Sequence, residues 1–365
     1  MGPRQGRGDN RDDGLELLHL PLLGLRRAEG RRTHPNGRLT VYKNARIAAI
    51  VPAYNEALLI GRVIETMPDY VDMIVIVDDK SPDNTSEVVR EIDDPRVTLI
   101  RHEVNGGVGA AIITGHRAAI EAGADVNVVM AGDAQMDPDF LPHLLDAVTD
   151  NGYGFAKANR FFAPESFHGM PRYRVFGNIL LSFLTKLSSG YWHLFDPQNG
   201  YTAVRTEVLK RIPLSHVSQR YSFENDLLVH LNILQVSAVD VPIPAVYGDE
   251  VSSIKLRKVV PELLDLLFRG FWRRIWYRYV LWSFSPIALL LFLGLGLFLF
   301  GLAVAIWVCF QIAGSVIATA ATVMLAALPL MLGTQMLISA LQLDIQASPS
   351  EPSYPPFVAA DGTAP

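Results

Sequence analysis

The chain has almost no cysteine. Cys309 is the single one among 365 residues, which rules out an intramolecular disulfide, zinc fingers and other cysteine-based metal sites. Positive charge is scarce as well. Lys and Arg number 32 against 37 Asp and Glu, a net charge of −5, which argues against a general nucleic-acid binder. Charged residues of both signs make up only 19% of the chain, while hydrophobic residues make up 50%. That balance is high in apolar residues for a water-soluble enzyme and points to a membrane segment. A phosphate-binding loop ending in Gly-Lys-Ser/Thr is missing. So is a dinucleotide fingerprint in its required place, because the first strand is followed by Pro52-Ala53-Tyr54-Asn55-Glu56.

Residues 1–44 differ from the rest in being rich in Arg, Gly and Asp. Their one apolar patch, Leu15 to Leu25, is broken by Pro21 and Gly24, preceded by acids and followed by no small-residue cleavage site. A signal peptide is therefore not expected. The composition predicts a flexible arm with a short membrane-surface contact.

From Ala45 onward the pattern becomes regular. Short apolar runs at 47–51, 73–77, 97–101 and 126–131 read as buried strands, and helical patterns fall between them. Strands alternating with helices predict an α/β domain with a mostly parallel sheet, Rossmann-like in its winding. Each strand ends in polar residues, and in such a sheet those ends share the edge where ligands bind. Gly106, Gly107 and Gly109 stand before the third helical pattern, where they provide a tight turn whose backbone lines the site.

The fourth strand gives the sharpest chemical signal. It runs Val128-Val129-Met130-Ala131-Gly132-Asp133-Ala134-Gln135 and then Met136-Asp137-Pro138. A buried strand ending in Asp133, with Gln135 beside it, delivers hard oxygen ligands suited to Mg²⁺ or Mn²⁺ bridging to substrate phosphates. By itself the stretch reads equally well as a strand end followed by an Asp-Pro turn.

Four motifs now stand in order: VPAYNE, VIVDDKSPDNT, NGGVGAAIITG and AGDAQMDPDFLP. Together they resemble family 2 glycosyltransferases of the GT-A fold, in the branch of dolichol-phosphate mannose synthase and other polyprenyl-phosphate glycosyltransferases. Later stretches fit the same resemblance: AKANRFF, FDPQNGYTAVRTEVL and VDVPIPAVYGDEVSSIKL. The resemblance covers roughly 47–256 and implies roles residue by residue. Pro52, Tyr54, Glu56, Val77 and Asp79 would contact the nucleotide, with Ala131, Gly132 and Asp133 completing the nucleotide-sugar site. Asp133 and Gln135 would hold the metal, and Asp196, Arg160 and Lys255 would carry the catalytic chemistry. One departure stands out. The family pattern is Asp-x-Asp, and Ala131 occupies the place of its first acid. Acids at the start of the helical pattern near Phe223 also fall close to the family's acceptor side, although the helix dipole is a sufficient reason for them.

The chain then changes character. Residues 257–285 carry Glu262, Asp265, Arg269 and Arg273 at helical spacing among Leu, Phe, Trp and Tyr. That predicts an interfacial amphipathic helix with its arginines reaching for lipid phosphates. Two uncharged runs, 286–310 and 312–343, are each long enough to cross a bilayer, with a reversal at 311–315. Basic residues cluster before the first run, so the catalytic domain is expected in the cytoplasm. The Pro- and Ser-containing tail, 344–365, is expected to be disordered.

The organisation expected is thus an arm (1–44), a GT-A domain (45–256), an interfacial helix (257–285), a transmembrane hairpin (286–343) and a tail. The activity expected is transfer of a hexose from a nucleotide sugar, of the GDP-mannose or UDP-glucose type, to polyprenyl or dolichyl phosphate, with inversion. Two other readings remain open: extension of a glycan or lipid-linked oligosaccharide, and a degenerate nucleotide-sugar-binding scaffold motivated by Ala131. The partners expected are the donor, the lipid acceptor and the membrane, with no nucleic acid; an oligomer is compatible with the sequence.

Overall fold

The computed structural model describes residues 42–161, 172–244, 256–314 and 318–357. Lys255 and most of the expected arm lie outside them. Seven strands form one sheet in the order β3-β2-β1-β4-β6-β5-β7. They are β1 (Ile47–Ala53), β2 (Met73–Asp78), β3 (Val97–Arg101), β4 (Val126–Val129), β5 (Phe155–Asn159), β6 (Thr202–Arg205) and β7 (Ala238–Pro242). Only β6 runs against its neighbours, pairing Val129 with Thr202 and Lys157 with Thr202. The C-terminal ends of β1, β2, β4, β5 and β7 and the start of β6 therefore share one edge.

Strand alternation decides what covers each face. Ala49, Val51 and Ala53 of β1 pack in a core with Ile60, Val63 and Ile64 of α1 (Ile60–Glu65) and with Leu141, Leu144, Leu145 and Val148 of α4 (Leu141–Thr149). Ala48 and Ile50 face the other way, with Ala119 of α3 (Val108–Glu121). α3 lies very close to β1. A Cβ on Gly115 would sit 2.3 Å from Ile50 Cγ2, so only glycine allows that approach. Helices α2 (Thr85–Glu91), α6 (Thr206–Leu209) and α7 (Phe223–Ile233) complete the two layers.

The ordered domain begins earlier than Ala45. The Tyr42 hydroxyl donates to the Pro142 carbonyl at 3.2 Å and also to Asp146, and Lys43 forms ion pairs with Asp146 and Asp150. Residues 42–44 thus belong to the folded domain and not to an arm.

α5 (Arg172–Ser189) is built inside out. It exposes Phe176, Ile179, Leu180 and Phe183, while Ser182, Thr185, Ser188 and Ser189 face inward. Thr185 Oγ1 donates to Asn225 Oδ1 at 3.0 Å, and Ser188 Oγ donates to the Leu267 carbonyl at 2.8 Å. Its neighbour α8 (Leu256–Arg274) buries Leu263 and Leu267 and exposes Val260, Leu264 and Phe268. It continues as a π-helical stretch, Ile275–Leu281. The expectation that this segment's arginines reach outward is corrected. Arg269 is exposed beside Asp265, but Arg273 pairs with Asp226, Arg274 is fully buried against Asp344, and Arg278 bonds Asn232. Buried carboxylate and amide partners outcompete water for these three cations.

Two long apolar helices follow, α9 (Pro286–Ala313) and α10 (Ala320–Gln346), packed along each other. Both are long and apolar enough to cross a membrane. The turn between them comes later than expected. α9 runs on to Ala313, and the Thr319 hydroxyl caps α10 by accepting from the Thr322 N–H at 3.2 Å.

The tail also departs from expectation. Residues 344–357 are packed on the catalytic domain. Asp344 accepts from Arg274 at 2.5 and 3.0 Å, from Tyr279 at 2.5 Å and from Trp192 at 3.0 Å. The Pro349 carbonyl accepts from Ala238 N at 3.3 Å, and Phe357 N donates to the Thr149 carbonyl at 2.9 Å. Arg205 lies over the rings of Tyr354 and Phe357, 5.3 and 4.5 Å from their centroids. Gly152 and Gly154 make the seat, since a Cβ on either would come within 2.6 Å of Tyr354 atoms. Composition predicted disorder because it does not register aromatic anchors spaced three residues apart.

Asp344→Ala leaves Arg274 buried with only the Leu187 and Ser188 carbonyls. It should lower the unfolding free energy of the detergent-solubilised chain by about 3 kcal/mol. A denaturant titration showing less than about 1 kcal/mol lost would mean that the clasp carries no stability.

Candidate active site

The loops at the shared edge hold most of the residues singled out in the sequence. Pro52 near the end of β1 and Glu56 in the loop after it pack against Gly132. A Cβ on Gly132 would lie 3.2 Å from the Pro52 carbonyl and 3.3 Å from Glu56 Cγ, which explains the glycine there. Tyr54 is half exposed on the same loop. The loop is fixed from below by β2's extension. Asn55 N donates to Ser81 Oγ at 3.0 Å, Glu56 N to Thr85 Oγ1 at 3.0 Å and Ala57 N to Asp83 at 3.1 Å. The two loops carrying VPAYNE and DDKSPDNT are therefore one unit.

Val77 and Asp79 are held by partners within the domain. Val77 is fully buried in a cluster with Val75, Ala111 and Ala118. It is a core residue, because the strand's alternation points it at α3. Asp79 is nearly buried as well. It accepts from Gly106 N at 2.8 Å, from Gly107 N at 2.7 Å and pairs with His102 Nδ1 at 2.7 Å. Its oxygens fix the glycine loop. The preceding Asp78 caps the next turn, accepting from Ser81 N at 2.7 Å and from the Ser86 hydroxyl, and these bonds hold its carboxyl below the usual range against the opposing effect of burial.

Beyond β4, Asp133 Oδ1 accepts from Gln135 N at 3.0 Å, closing a turn in which Ala134 takes φ +56°. Such a left-handed angle on alanine is strained, and strain of this kind collects at functional loops. Among the described residues no three acids, histidines or cysteines gather as a metal cage. One half-exposed carboxylate with an adjacent amide still fits Mg²⁺ or Mn²⁺, which take few protein ligands when substrate phosphates supply the rest.

Arg160 and Asp196 come together. Arg160 Nε donates to Asp196 Oδ2 at 2.8 Å and Nη2 to Oδ1 at 3.0 Å, a bidentate pair. Asp196 is buried and itself takes φ +48°. Its loop is anchored by Lys157, whose ammonium donates to the Asp196 carbonyl at 2.9 Å and to the Phe195 carbonyl, and lies 3.0 Å from Asp240. Asp240 in turn accepts from Phe195 N at 2.6 Å and from Asn159 Nδ2 at 3.0 Å. Lys157 and Asp240 were not anticipated. A lysine at the centre of the apolar strand FAKAN is the available signal, because a cation there has to be paired.

Glu224, in the first turn of α7, is the other acid at this edge. It borders a cavity of about 10 Å³ with Lys157, Gly200 and Thr202, room for a single water. Burial pushes its carboxyl up to about 7, opposed by a hydrogen bond from its own N–H. Nearby, the Tyr221 hydroxyl donates to Gln198 at 2.9 Å.

Parallel strands delivering acids and glycine turns to one edge form the kind of cleft in which open α/β sheets bind their ligands. Residues 48–213 match the model of the family described as Glycosyl transferase family 2. The chain is similar to the UDP-N-acetylglucosamine–dolichyl-phosphate N-acetylglucosaminyltransferase of Methanococcus voltae, at 32% identity over 56% of this chain and 86% of the relative. It is similar to the polyprenol monophosphomannose synthase of Mycolicibacterium smegmatis, at 34% identity over 56% and 78%, and to the undecaprenyl-phosphate mannosyltransferase of Micrococcus luteus, at 31% over 54% and 82%. In fold it resembles glucosyl-3-phosphoglycerate synthase of Mycobacterium tuberculosis, solved with phosphoglyceric acid, with a TM-score of 0.50 and 20% identity over 62% of this chain and 80% of that one. The chain belongs to glycosyltransferase family 2 and is a glycosyltransferase with the GT-A type of fold.

The raised carboxyl of Glu224 has a testable sign. Its folded-state value lies above the ordinary 4.5, so the contribution it makes to stability is complete below pH 4.5 and is lost as pH rises through about 7. Glu224→Gln stays neutral throughout. The stability difference between the variant and the parent should therefore widen in the variant's favour from pH 4.5 to 7. Parallel stability curves across that window would place Glu224 in the ordinary carboxylate range.

Proposed function

We propose that the chain transfers a hexose, or an N-acetylhexosamine, from a nucleoside diphosphate sugar to a polyprenyl phosphate at a membrane surface, with inversion at the sugar carbon. The observation that carries this reading is the bidentate Arg160–Asp196 pair. A hydroxyl acceptor needs a carboxylate free to take its proton. Here the acid at the acceptor loop is already neutralised by a guanidinium. A phosphate acceptor has its second ionisation near pH 6 and arrives largely deprotonated. The site then has to orient it and screen its charge, which a cation beside a buried acid can do.

The inside-out helix α5 supports a lipid acceptor. Phe176, Ile179, Leu180 and Phe183 are exposed on it. Removing each such side chain from water is worth about 1.5–3 kcal/mol, a gain that lipid supplies. α9 and α10, charge-free until Asp344, are read as the membrane hairpin, with the catalytic domain on the cytoplasmic side. The acceptor named for three relatives is a polyprenyl or dolichyl phosphate, which agrees with this reading.

On the donor side, Pro52, Tyr54, Glu56 and Gly132 would line the nucleotide sugar, and Ala131 and Asp133 would flank its diphosphate. Asp133 and Gln135 would hold a Mg²⁺ or Mn²⁺, which when bound stabilises charge on the departing diphosphate. Lys255 is proposed as a second cation for the acceptor. A second reading rests on Glu224, whose raised carboxyl suits a general base for a sugar hydroxyl.

Nucleoside diphosphate release, measured with polyprenyl phosphate and with simple sugars as acceptors, tests the proposal. Release with polyprenyl phosphate alone is expected; release with sugars favours extension of a glycan. Arg160→Ala and Asp196→Asn should depress the rate to a similar degree, since each breaks the same pair. A dominant loss in Asp196→Asn or Glu224→Gln, with a rate that climbs through a single ionisation, would reject the phosphate acceptor. Asp133→Ala should abolish transfer and chelation should do the same. Full activity of that variant in metal-free buffer would end the metal assignment.

A further inference from the structure

The helix that leads into the hairpin is tied to the glycine loop by an unbroken series of contacts. Arg273 of α8 donates to Asp226 Oδ1 in α7. The other oxygen of Asp226, Oδ2, accepts from Ser218 N at 2.8 Å. The next carbonyl along, Gln219 O, accepts from Ala110 N at the start of α3 at 2.8 Å. The 218–220 segment also lies tightly against the glycines. A Cβ on Gly107 would sit 2.9 Å from Gln219 O, and one on Gly109 would sit 2.7 Å from Ser218 O. From there, Gly106 and Gly107 donate to Asp79, which His102 also engages.

Asp226 stands in the first turn of α7, where the helix dipole alone favours an acid. Both its oxygens are nonetheless committed outside the helix, one to α8 and one to the 218–220 segment. The carboxylate is buried, so losing Arg273 would leave an unpaired charge facing the Ser218 amide. Arg269, one turn earlier on α8, is exposed and, among the described residues, pairs only with Asp265 on its own helix. The two arginines differ in what they reach, which makes them a matched comparison.

We propose that Arg273 and Asp226 are positioning residues: their ion pair holds the 218–220 segment against the start of α3 and thereby fixes the glycine loop, so that seating of the juxtamembrane helix governs order on the donor side of the site. The donor side is named on the reading given under Proposed function; the mechanical link stands apart from it. Neither residue touches substrate in this scheme. They act through Ser218, Gln219 and Ala110.

Hydrogen–deuterium exchange on the full chain in lipid nanodiscs tests the link without any ligand. In Arg273→Ala and in Asp226→Asn, the amides of Gly106, Gly107 and Ala110 should exchange at least about fivefold faster, with β1 and β4 unchanged and Arg269→Ala like the parent. Gly109→Ala, which wedges the segment from the other end, should do the same. If Arg273→Ala loosens the whole sheet, Arg273→Lys replaces it, and loosening confined to 104–111 is still required. Unchanged loop exchange in these variants, or equal acceleration in Arg269→Ala, overturns the proposal. Titration with UDP and GDP in the presence of Mn²⁺ then separates the two readings. Binding that is weakened about fivefold or more in Arg273→Ala but not in Arg269→Ala extends the link to the donor. Accelerated loop exchange in a parent chain that binds neither nucleotide retains the link and rejects the donor assignment.

Discussion

Asp78, Asp79, Asp196 and Asp240 at the working edge of the sheet are buried or half-buried, and a buried carboxylate is tolerable only when its oxygens are filled. That requirement shapes the site. Asp78 is filled by Ser81 and Ser86, Asp79 by the two glycine amides and His102, Asp196 by Arg160, and Asp240 by Lys157 and Phe195 N. The pairings of Asp79, Asp196 and Asp240 tie together segments distant in sequence, and that of Asp78 closes the turn after its own strand. The loops keep their shape because the charges inside them have nowhere else to go. Asn55, Lys80, Ala134 and Asp196, all with positive φ, stand in the loops of the same edge.

Much of this was legible in the sequence. The apolar runs that became β1 to β4 are distinct, and the polar residues after them mark the edge because strand direction follows from the alternation with helices. Asp133, Arg160 and Asp196 were singled out through motif order, while the ion pair between the last two is visible only in the structure. What local pattern could not give was the partner of each charge. Asp79 looked like a ligand group because its place after a strand is where ligand groups stand; that its oxygens face a glycine loop is a tertiary fact. Val77 was assigned to the nucleotide by motif, while the packing of its side chain on α3 follows from period-two alternation. Arg269 and Arg273 looked alike as lipid-facing cations, since a helical wheel shows a polar stripe without showing the Asp226 carboxylate opposite Arg273. The antiparallel course of β6 was hidden too, for a four-residue strand has the same composition in either direction.

The membrane-proximal part obeys the reverse of the usual rule. In α5 the serines and threonines point inward, where Asn225 and the Leu267 carbonyl satisfy them, and the aromatic and aliphatic residues point out. A helix of this kind is costly in water and natural at a lipid surface. Its polar face also gives α7 and α8 a hydrogen-bonded seat, so the boundary between the catalytic domain and the juxtamembrane helix is polar and geometrically specific.

The packed tail has a consequence for biosynthesis. Tyr354 and Phe357 close over Arg205, and Pro349 bonds β7's first residue, yet all three leave the ribosome after both apolar helices have been made. Domains tend to fold as units from the N-terminus during synthesis. This one has to wait with the Arg205 side of its sheet uncovered until both apolar helices have been made and the chain has come back. A chain cut short after α10 lacks those last residues and leaves that surface uncovered. Synthesis of the two helices and completion of the catalytic domain are thereby coupled.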